Sequence, residues 1–221
     1  IIITIIIVSF SLIRLKLSVN SFIYFLSVFS TFLLALIRDF NMIFGFRYFR
    51  GGADGLLHNS FAQDIVQNIK TGNYLLAIRG GEDVFYFMPG LRYIGALSKF
   101  FFGDTNYAYL LISTFLPLCI FIFFYKFLNR KYALGLFFSF VFFPIFENMG
   151  FGFFNYIWQV ARNHAETLSI VLIMISLAFI INLKGNYKSY SNKKIATILI
   201  GFALAIATIS RPNFFPTTLI L

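Results

Sequence analysis

The chain is poor in the residues on which most soluble enzymes and metal proteins depend. Its 221 residues contain one cysteine, two histidines and eight carboxylates. The lone Cys119 lies in an apolar run, so a disulfide framework is excluded. The two histidines and the cysteine are widely separated and form no zinc-binding pattern. A phosphate-binding glycine loop with its lysine and a nucleophile-elbow serine are also missing.

Charge is scarce, and apolar residues fill the space it leaves. Charged residues make up 12% of the chain, about half of the usual quarter. Mean hydropathy is +0.83, and several apolar runs are long enough to cross a bilayer. We therefore expect an all-α, polytopic transmembrane helical bundle. The predicted spans are 1–13, 17–37, 107–125, 132–146, 167–183 and 195–210.

The first span is short, and the chain ends a few residues into a further apolar run. We expect residues 1–221 to form a single transmembrane domain, the N-terminal fragment of a larger protein.

Positive charge alternates along the chain with the predicted spans. The connections 14–16, 126–131 and 184–194 carry nine of the 18 Lys and Arg residues and no acid. The positive-inside rule places such short basic connections in the cytoplasm. All eight carboxylates then lie on the exoplasmic side. The net charge of +10 follows from this arrangement, and no nucleic-acid partner is expected.

The segment 38–106 is a long exoplasmic loop in which we predict two interfacial helices. The first is capped by Asp54 and stops at Gly72. The second runs from Pro89 to Phe102 and stops at Gly103. An apolar stripe on the first helix would face the membrane. That stripe consists of Leu57, Phe61, Ile65 and Ile69 with Val66 beside it, and the other faces carry His58, Asn59, Gln63, Asp64, Gln67 and Asn68.

Asp54 is the first catalytic candidate. It follows two glycines shortly after a span, so its carboxylate would lie at the outer boundary between water and lipid. The structural alternative is a helix N-cap, a role that is compatible with catalysis. Asp54 and His58 also stand at i,i+4, and two such residues are a weak indication of a metal site.

Three further residues of the loop are candidates for substrate binding. Glu82 and Asp83 are adjacent, so they would point in different directions, and a solvated loop pair is the alternative. Arg92 follows a Pro-Gly pair near a helix start, and its fork suits a phosphate group. The alternative for Arg92 is a side chain that snorkels at the interface.

A second exoplasmic group surrounds the start of a later span. Glu166 is the second catalytic candidate, because an unpaired carboxylate near lipid is costly. Arg162 and His164 are substrate-binding candidates beside it, and a salt bridge between Arg162 and Glu166 at i,i+4 is the structural alternative. Arg211 stands at the outer end of the last span, before Pro212, as a phosphate ligand or as a helix-end anchor.

The order of these elements resembles a known family. An acid after a span, a helix that ends in glycine, the element "MPGLRY" followed by "FFG", and a later "RP" are similar to the motifs of GT-C membrane glycosyltransferases. The closest branch in pattern is that of the protein O-mannosyltransferases and the aminoarabinose transferase of lipid A. The similarity covers residues 38–211.

The resemblance implies a specific reaction. A GT-C enzyme would move a sugar from a polyprenyl-phosphate donor to the hydroxyl of a glycan, lipid or protein acceptor, with inversion. Asp54 would be the base, and Arg92, Arg162 or Arg211 would hold the donor phosphate. No cofactor is expected, although a divalent metal stays an alternative. The site would lie on the periplasmic side of a bacterial inner membrane, in contact with membrane lipid.

Other functions remain open at this point. A transporter or flippase would carry ionisable groups near mid-membrane and inverted repeats, neither of which the predicted spans contain. A non-catalytic membrane subunit would tolerate the loss of Asp54. A lipid-linked polysaccharide polymerase would use the same outer face and a similar donor.

Overall fold

The computed structural model describes residues 21–38, 40, 53–80, 89–143, 152–186 and 190–221. At residues 53, 54, 182, 184–186 and 190–192 the description covers the backbone alone. Within these ranges the regular elements are all helical, and no strand occurs. The predicted all-α class is therefore confirmed for this part of the chain, whereas the polytopic arrangement stays a prediction.

Eleven α-helices and one 3-10 turn are described. They follow the chain as α1 Ser21–Arg38, α2 Ala53–Lys70, α3 Tyr74–Ile78, α4 Gly90–Phe102, α5 Tyr107–Ser113, α6 Phe115–Phe127, α7 Arg130–Phe142, α8 Phe153–Ala161, α9 Ala165–Asn186, α10 Tyr190–Ser210, the 3-10 turn Pro212–Phe214, and α11 Phe215–Ile220.

Three helical segments are long and apolar enough to cross a membrane. They match three of the predicted spans in place, and α9 contains a shorter apolar stretch. The predicted span at 1–13 and the last residues of the one at 132–146 lie outside the described residues. The three segments are Ser21–Arg38, Tyr107–Phe127 and Lys193–Ser210, and the shorter stretch is Ala165–Ile181.

The long helices α9 and α10 run antiparallel. Near the start of α9, the Ser169 hydroxyl donates a hydrogen bond of 3.0 Å to the carbonyl oxygen of Ala207, near the end of α10. The last residue of α1 reaches the same end of the molecule. Its side chain, Arg38, lies 4.5 Å from the ring centroid of Phe154 on α8, the short helix that leads into α9.

Charged residues are distributed differently at the two ends of the molecule. We call the end that holds Arg38, α8, Glu166 and Arg211 the site end. Asp104 also lies at the site end, because it comes just before α5 and α5 packs against α8. We call the opposite end, where α6 meets α7 and α10 begins, the basic end. Its described cations are Lys126, Arg130, Lys131, Lys193 and Lys194.

Aromatic packing holds α6, α7 and α8 together. Phe137 on α7 is fully buried, and its ring meets the ring of Phe121 on α6 edge to face at 6.5 Å. Phe140 on α7 lies 5.6 Å from Phe153, the first residue of α8. Each such pair stabilises the packing by about 0.5–1.5 kcal/mol beyond the burial of its surface. The contact between Phe140 and Phe153 packs the start of α8 against α7 at one end of the molecule.

The helices α2 and α4 pack side by side and run parallel. A Cβ atom on Gly95 of α4 would lie 3.0 Å from the Cβ of Ala62 on α2, so the two backbones approach closely. Further along, Ile69 of α2 and Phe100 of α4 line the same groove. Because the order of contacts is the same on both helices, their first turns lie at the same end of the pair.

Several predicted boundaries in this region are confirmed. The first helix ends before Gly72, whose φ of 79° is in the left-handed region that favours glycine. The second runs to Phe102 and is followed by Gly103, with a φ of 67°. Its predicted start at Pro89 is right to within one residue.

Two predictions for α2 are wrong. The helix begins at Ala53, so Asp54 lies within its first turn and is not its N-cap. His58 was placed on a polar face, but it is buried, with 8% of its surface exposed. His58 lies on the same side of α2 as Ala62 and Ile65, at i+4 and i+7, and this side packs on α4. The buried stripe is therefore centred on the small residue Ala62.

Candidate functional site

An ion pair between two helices occupies the site end. Arg211 Nη2 lies 2.7 Å from Glu166 Oε1, and His164 Nδ1 lies 3.9 Å from Glu166 Oε2. All three side chains are about one-third to two-fifths exposed, so solvent and solutes can reach them. We call these three residues the Glu166 triad. The triad places a guanidinium and an imidazole beside one carboxylate.

The local sequence explains how these side chains meet. Glu166 lies in the first turn of α9, where the helix dipole favours a negative charge. Asn163, with a φ of 56°, turns the chain sharply between α8 and α9, a conformation that asparagine tolerates better than most residues. Pro212 cannot continue α10, and Arg211 before it takes an extended conformation with φ −148°.

The predicted alternative of a salt bridge between Arg162 and Glu166 is wrong. The i,i+4 rule requires one continuous helix, and the turn at Asn163 separates the two residues. Glu166 pairs instead with Arg211, the residue that follows α10. The guanidinium carbon of Arg162 lies 3.4 Å from the centroid of the Trp158 ring, so Arg162 belongs to a different contact.

Two buried polar atoms border the Glu166 triad. Asn163 Oδ1 precedes His164, and Ser210 Oγ precedes Arg211. Both residues are 3% exposed, and neither of these atoms makes a hydrogen bond to another group in the described part of the chain. Buried polar atoms in proteins are almost always satisfied. A buried water molecule is the usual partner of such atoms.

The backbone of Asp54 lies toward the same end. The first residue of α4 touches the end of α10, since a Cβ on Gly90 would lie 2.6 Å from the backbone nitrogen and from Oγ of Ser210. Because α2 runs parallel to α4, the first turn of α2 lies near this contact. The first turns of α2 and α4 therefore lie on the side of the molecule where α4 contacts the end of α10. The Asp54 side chain itself is outside the described part.

Arg92 lies inside the protein. It is fully buried, its Nη1 donates a hydrogen bond of 3.2 Å to the carbonyl oxygen of Gly80, and its guanidinium carbon lies 4.0 Å from the centroid of the Phe61 ring. These contacts join α2, the turn after α3 and α4. They place the side chain between helices and not among solvent-exposed groups, so Arg92 supports the arrangement of the loop helices.

An apolar groove follows α2 and α4 away from the Glu166 triad. It has a volume of about 550 Å³ and lies between α2, α3 and α4. Tyr93 lines this groove, and its hydroxyl donates a hydrogen bond to the carbonyl oxygen of Ile78. Burial raises the pKa of the Tyr93 hydroxyl, and the neighbouring Arg92 lowers it to a smaller extent. The lining residues are Ile65, Ile69, Tyr74, Ala77, Ile78, Tyr93, Ala96, Leu97, Phe100 and Phe101.

The remaining charged residues of the loop divide into two groups. Glu82 and Asp83 lie outside the described residues, so their predicted role stays a prediction. Lys99, near the end of α4, forms an ion pair with Asp104. That pair ties the end of α4 to the start of α5.

Sequence reasoning missed Arg38. It is the first residue of the predicted loop 38–106 and received no role, yet its guanidinium carbon lies 4.5 Å from the centroid of the Phe154 ring and 5.6 Å from that of the Trp158 ring. One signal was present in the sequence. Phe154, Trp158 and Arg162 follow each other at intervals of four, which places them on one side of a helix.

A metal site was considered around Asp54 and His58. Among the residues that the structure describes, no group of three or more His, Cys, Asp or Glu residues is close enough to hold an ion. Since the Asp54 side chain lies outside that set, the divalent metal stays an untested alternative.

Comparison of the chain with protein-family models, with curated proteins and with solved structures yields no match. The function has to be argued from the residues described above.

Proposed function

We propose that this protein is a membrane glycosyltransferase of the GT-C type. It would transfer a sugar from a polyprenyl-phosphate donor to an acceptor hydroxyl at the outer membrane face, with inversion. Asp54 would be the base, and Arg211 would hold the donor phosphate. The acceptor would be a glycan, a lipid or a protein.

One observation carries this proposal. The parallel packing of α2 on α4, together with the contact between Gly90 and Ser210, brings the backbone of Asp54 toward the end that holds Arg211 and Glu166. A carboxylate and a guanidinium from distant parts of the chain are the two groups that this transfer needs. They would meet beside three candidate membrane-spanning helices, where a lipid-linked sugar is available.

The chemistry requires few groups. The Asp54 carboxylate takes the proton of the acceptor hydroxyl, whose oxygen attacks the first carbon of the sugar. The bond from that carbon to the phosphate oxygen breaks, and its electron pair leaves with the phosphate. A phosphate departs without protonation, so a second acid as in glycosidases is not needed. Its charge would be stabilised by the guanidinium of Arg211.

Glu166 and His164 would then be positioning residues. Glu166 holds the Arg211 guanidinium through one oxygen, at 2.7 Å, while its other oxygen lies 3.9 Å from His164 Nδ1. A fixed guanidinium loses less freedom when it binds the phosphate.

The apolar groove suits the other end of the donor. It runs along α2 and α4 toward the C-terminal ends of these helices, and apolar side chains dominate its lining. Phe100 and Phe101 at its rim are 61% and 68% exposed, as expected for residues in contact with lipid. An isoprenoid chain of the donor would fit an apolar groove of this kind beside the loop helices.

The position of charge favours an enzyme over a transporter. In the three candidate spans, the described charged residues stand at the ends: Arg38, Lys126, Lys193 and Lys194. Transporters place ionisable groups near mid-membrane. A lipid-linked polysaccharide polymerase would share this donor and this face, so the acceptor distinguishes it from other transferases.

The test of the proposal is the variant Asp54→Asn. It keeps the size of the side chain and removes the basicity, so transfer from a polyprenyl-phosphate sugar should fall by about 10²–10⁴-fold. Asp64→Asn is the matched control, since Asp64 is an exposed carboxylate on the same helix. It should retain near wild-type transfer.

Both variants are compared in membranes with equal amounts of folded protein, as judged by thermal unfolding in detergent. Wild-type turnover in Asp54→Asn would exclude Asp54 as the base and move the role to Glu166.

A further inference from the structure

The helices α3 and α4 carry their polar and apolar residues the opposite way round from helices that face water. Six of their residues are exposed, and all six have large apolar or aromatic side chains. The two charged residues of α4, Arg92 and Lys99, are buried. A helix on an aqueous surface would bury the first set and expose the second. The six exposed residues, each between 54% and 73% exposed, are Tyr74, Leu75, Ile78, Leu97, Phe100 and Phe101.

These exposed residues form one surface and are not scattered. Five of the six line the apolar groove of about 550 Å³ between α2, α3 and α4, and only Leu75 lies outside its lining. We call this surface the apolar side of α3 and α4. An exposed apolar surface built around a groove marks a contact with a ligand, with another protein or with a membrane.

The position of α4 indicates which of these partners the surface meets. Its first residue, Gly90, is in close contact with Ser210, the last residue of one candidate membrane-spanning segment. Its last residue, Phe102, is separated by four residues from Tyr107, the first residue of another such segment. The ion pair that ties the end of α4 to the start of α5 keeps this connection short. Both ends of α4 are therefore held beside span ends, so α4 would run along the boundary of a membrane that these segments cross.

The stripe on α2 that the sequence assigns to the membrane is used for packing instead. Phe61 lies against the buried Arg92, with 4.0 Å from its ring centroid to the guanidinium carbon. Ile65 is buried in a cluster with residues of α3 and α4. The side of α2 that points away from α4 is mostly polar and includes Gln63 and Gln67. The three helices together therefore have one polar side, on α2, and one apolar side, on α3 and α4.

We propose that the apolar side of α3 and α4 is inserted into the lipid leaflet at the site end, where acyl chains of membrane phospholipids fill its groove. Binding is non-covalent and is driven by the removal of apolar surface from water. Tyr74 at the rim fits this position, because tyrosine is enriched at membrane interfaces, where its ring and its hydroxyl both find partners. The inference does not depend on the proposed transfer reaction, since any phospholipid supplies such chains.

Tryptophan fluorescence in vesicles tests where this surface lies. Trp158 is the only tryptophan among the 221 residues, so Trp158→Phe gives a background without tryptophan emission. In that background Phe100→Trp and Ile78→Trp each place a reporter on the apolar side, and Gln67→Trp on the exposed polar side of α2 is the matched control. The full chain is reconstituted into phosphatidylcholine vesicles, without polyprenyl lipid, whose acyl chains do or do not carry bromine. Potassium iodide, present on both sides of the membrane, is the water-soluble quencher.

The two quenchers should select different reporters. Bromine quenches tryptophan only at close approach, so Phe100→Trp and Ile78→Trp should lose most of their emission in the brominated vesicles. Iodide should change the emission of these two variants little, because it stays in water. Gln67→Trp should show the reverse pattern, with strong quenching by iodide and weak quenching by bromine.

Two results would overturn the proposal. Iodide quenching of Phe100→Trp and Ile78→Trp as strong as that of Gln67→Trp would show that the apolar side faces water. Protection of both reporters from both quenchers would show that a protein surface, such as a second copy of the chain, covers it. Circular dichroism and thermal unfolding in detergent confirm that each variant is folded, and the two reporters test the same surface independently.

Discussion

The two arginine clusters at the site end differ in what holds their cations. Arg211 is held by a carboxylate, with its Nη2 atom 2.7 Å from Glu166 Oε1. Arg162 is held by an aromatic face, 3.4 Å from the centroid of Trp158, with a second arginine nearby. The first cluster is close to neutral and fixes a guanidinium in place. The second places the guanidinium of Arg162 on an aromatic face.

Two arginines at the same end of the molecule can therefore have different roles. An ion pair orients a guanidinium at a small net gain, because each partner loses water on approach. A cation–π contact orients it without cancelling its charge. The Glu166 triad is therefore suited to positioning within a reaction site, whereas the contact between Arg162 and Trp158 orients a guanidinium and keeps its charge.

The largest expected effect separates the clusters by activity. Arg211→Gln should lower transfer from a polyprenyl-phosphate sugar by about 10²–10³-fold, the usual loss when one group that stabilises the leaving charge is removed. Arg130→Gln at the basic end is the matched control and should transfer at the wild-type rate. The measurement is single-turnover transfer in membranes with saturating donor. A loss of less than about threefold in Arg211→Gln would contradict the assignment of the phosphate to this residue.

The second prediction concerns the contact that brings α4 to α10 beside Arg211. Gly90→Ala would put a Cβ atom 2.6 Å from Ser210, against backbone, so we expect destabilisation by about 1–3 kcal/mol. Gly135→Ala is the control with the opposite sign. Its Cβ would meet no atom within 4 Å, and loss of chain entropy in the unfolded state should stabilise α7 by about 0.5–1 kcal/mol.

The measurement for both glycine variants is thermal unfolding in detergent, scored as the shift in Tm. Unchanged stability in Gly90→Ala would show that α4 and α10 do not approach closely.

The smallest expected effect compares the two contacts directly. Double-mutant cycles should give coupling free energies of about 0.2–1 kcal/mol for the pair of Glu166 and Arg211, and about 0.5–1 kcal/mol for the pair of Trp158 and Arg162. In 1 M salt the first value should fall toward zero, because the pair is partly exposed and screened. The second should change less, since the ring lies in contact with the guanidinium. Equal salt sensitivity would remove the distinction between the clusters.

The helical class and the punctuation of the loop were predictable because they depend on local rules. Gly72 and Gly103 follow helices at positions where the backbone requires φ above zero, and glycine meets that need without steric cost. The apolar runs of α1, of α5 with α6, and of α10 are long enough to be candidates for crossing a bilayer. Neither inference requires knowledge of which helices touch.

The partners of the charged residues were not predictable in the same way. The spacing of Arg162 and Glu166 suggested a pair, but the prediction assumed a continuous helix that the turn at Asn163 interrupts. The buried side of α2 was misplaced at His58 because close approach to Gly95 selects the small Ala62 as its centre. Hydrophobic periodicity ranks large residues first and overlooks a face chosen by backbone proximity.

The sequence by itself determined that this is a helical chain with candidate membrane spans, basic segments separated from its carboxylates, and a loop broken into short helices. Those properties follow from composition, periodicity and turn residues, which act over a few positions. Only the tertiary structure decided that Glu166 pairs with Arg211, that Arg92 is buried, and that Arg38 joins Arg162 around one indole ring. Such pairings depend on which helices pack together, and packing is settled by contacts between residues far apart in the chain.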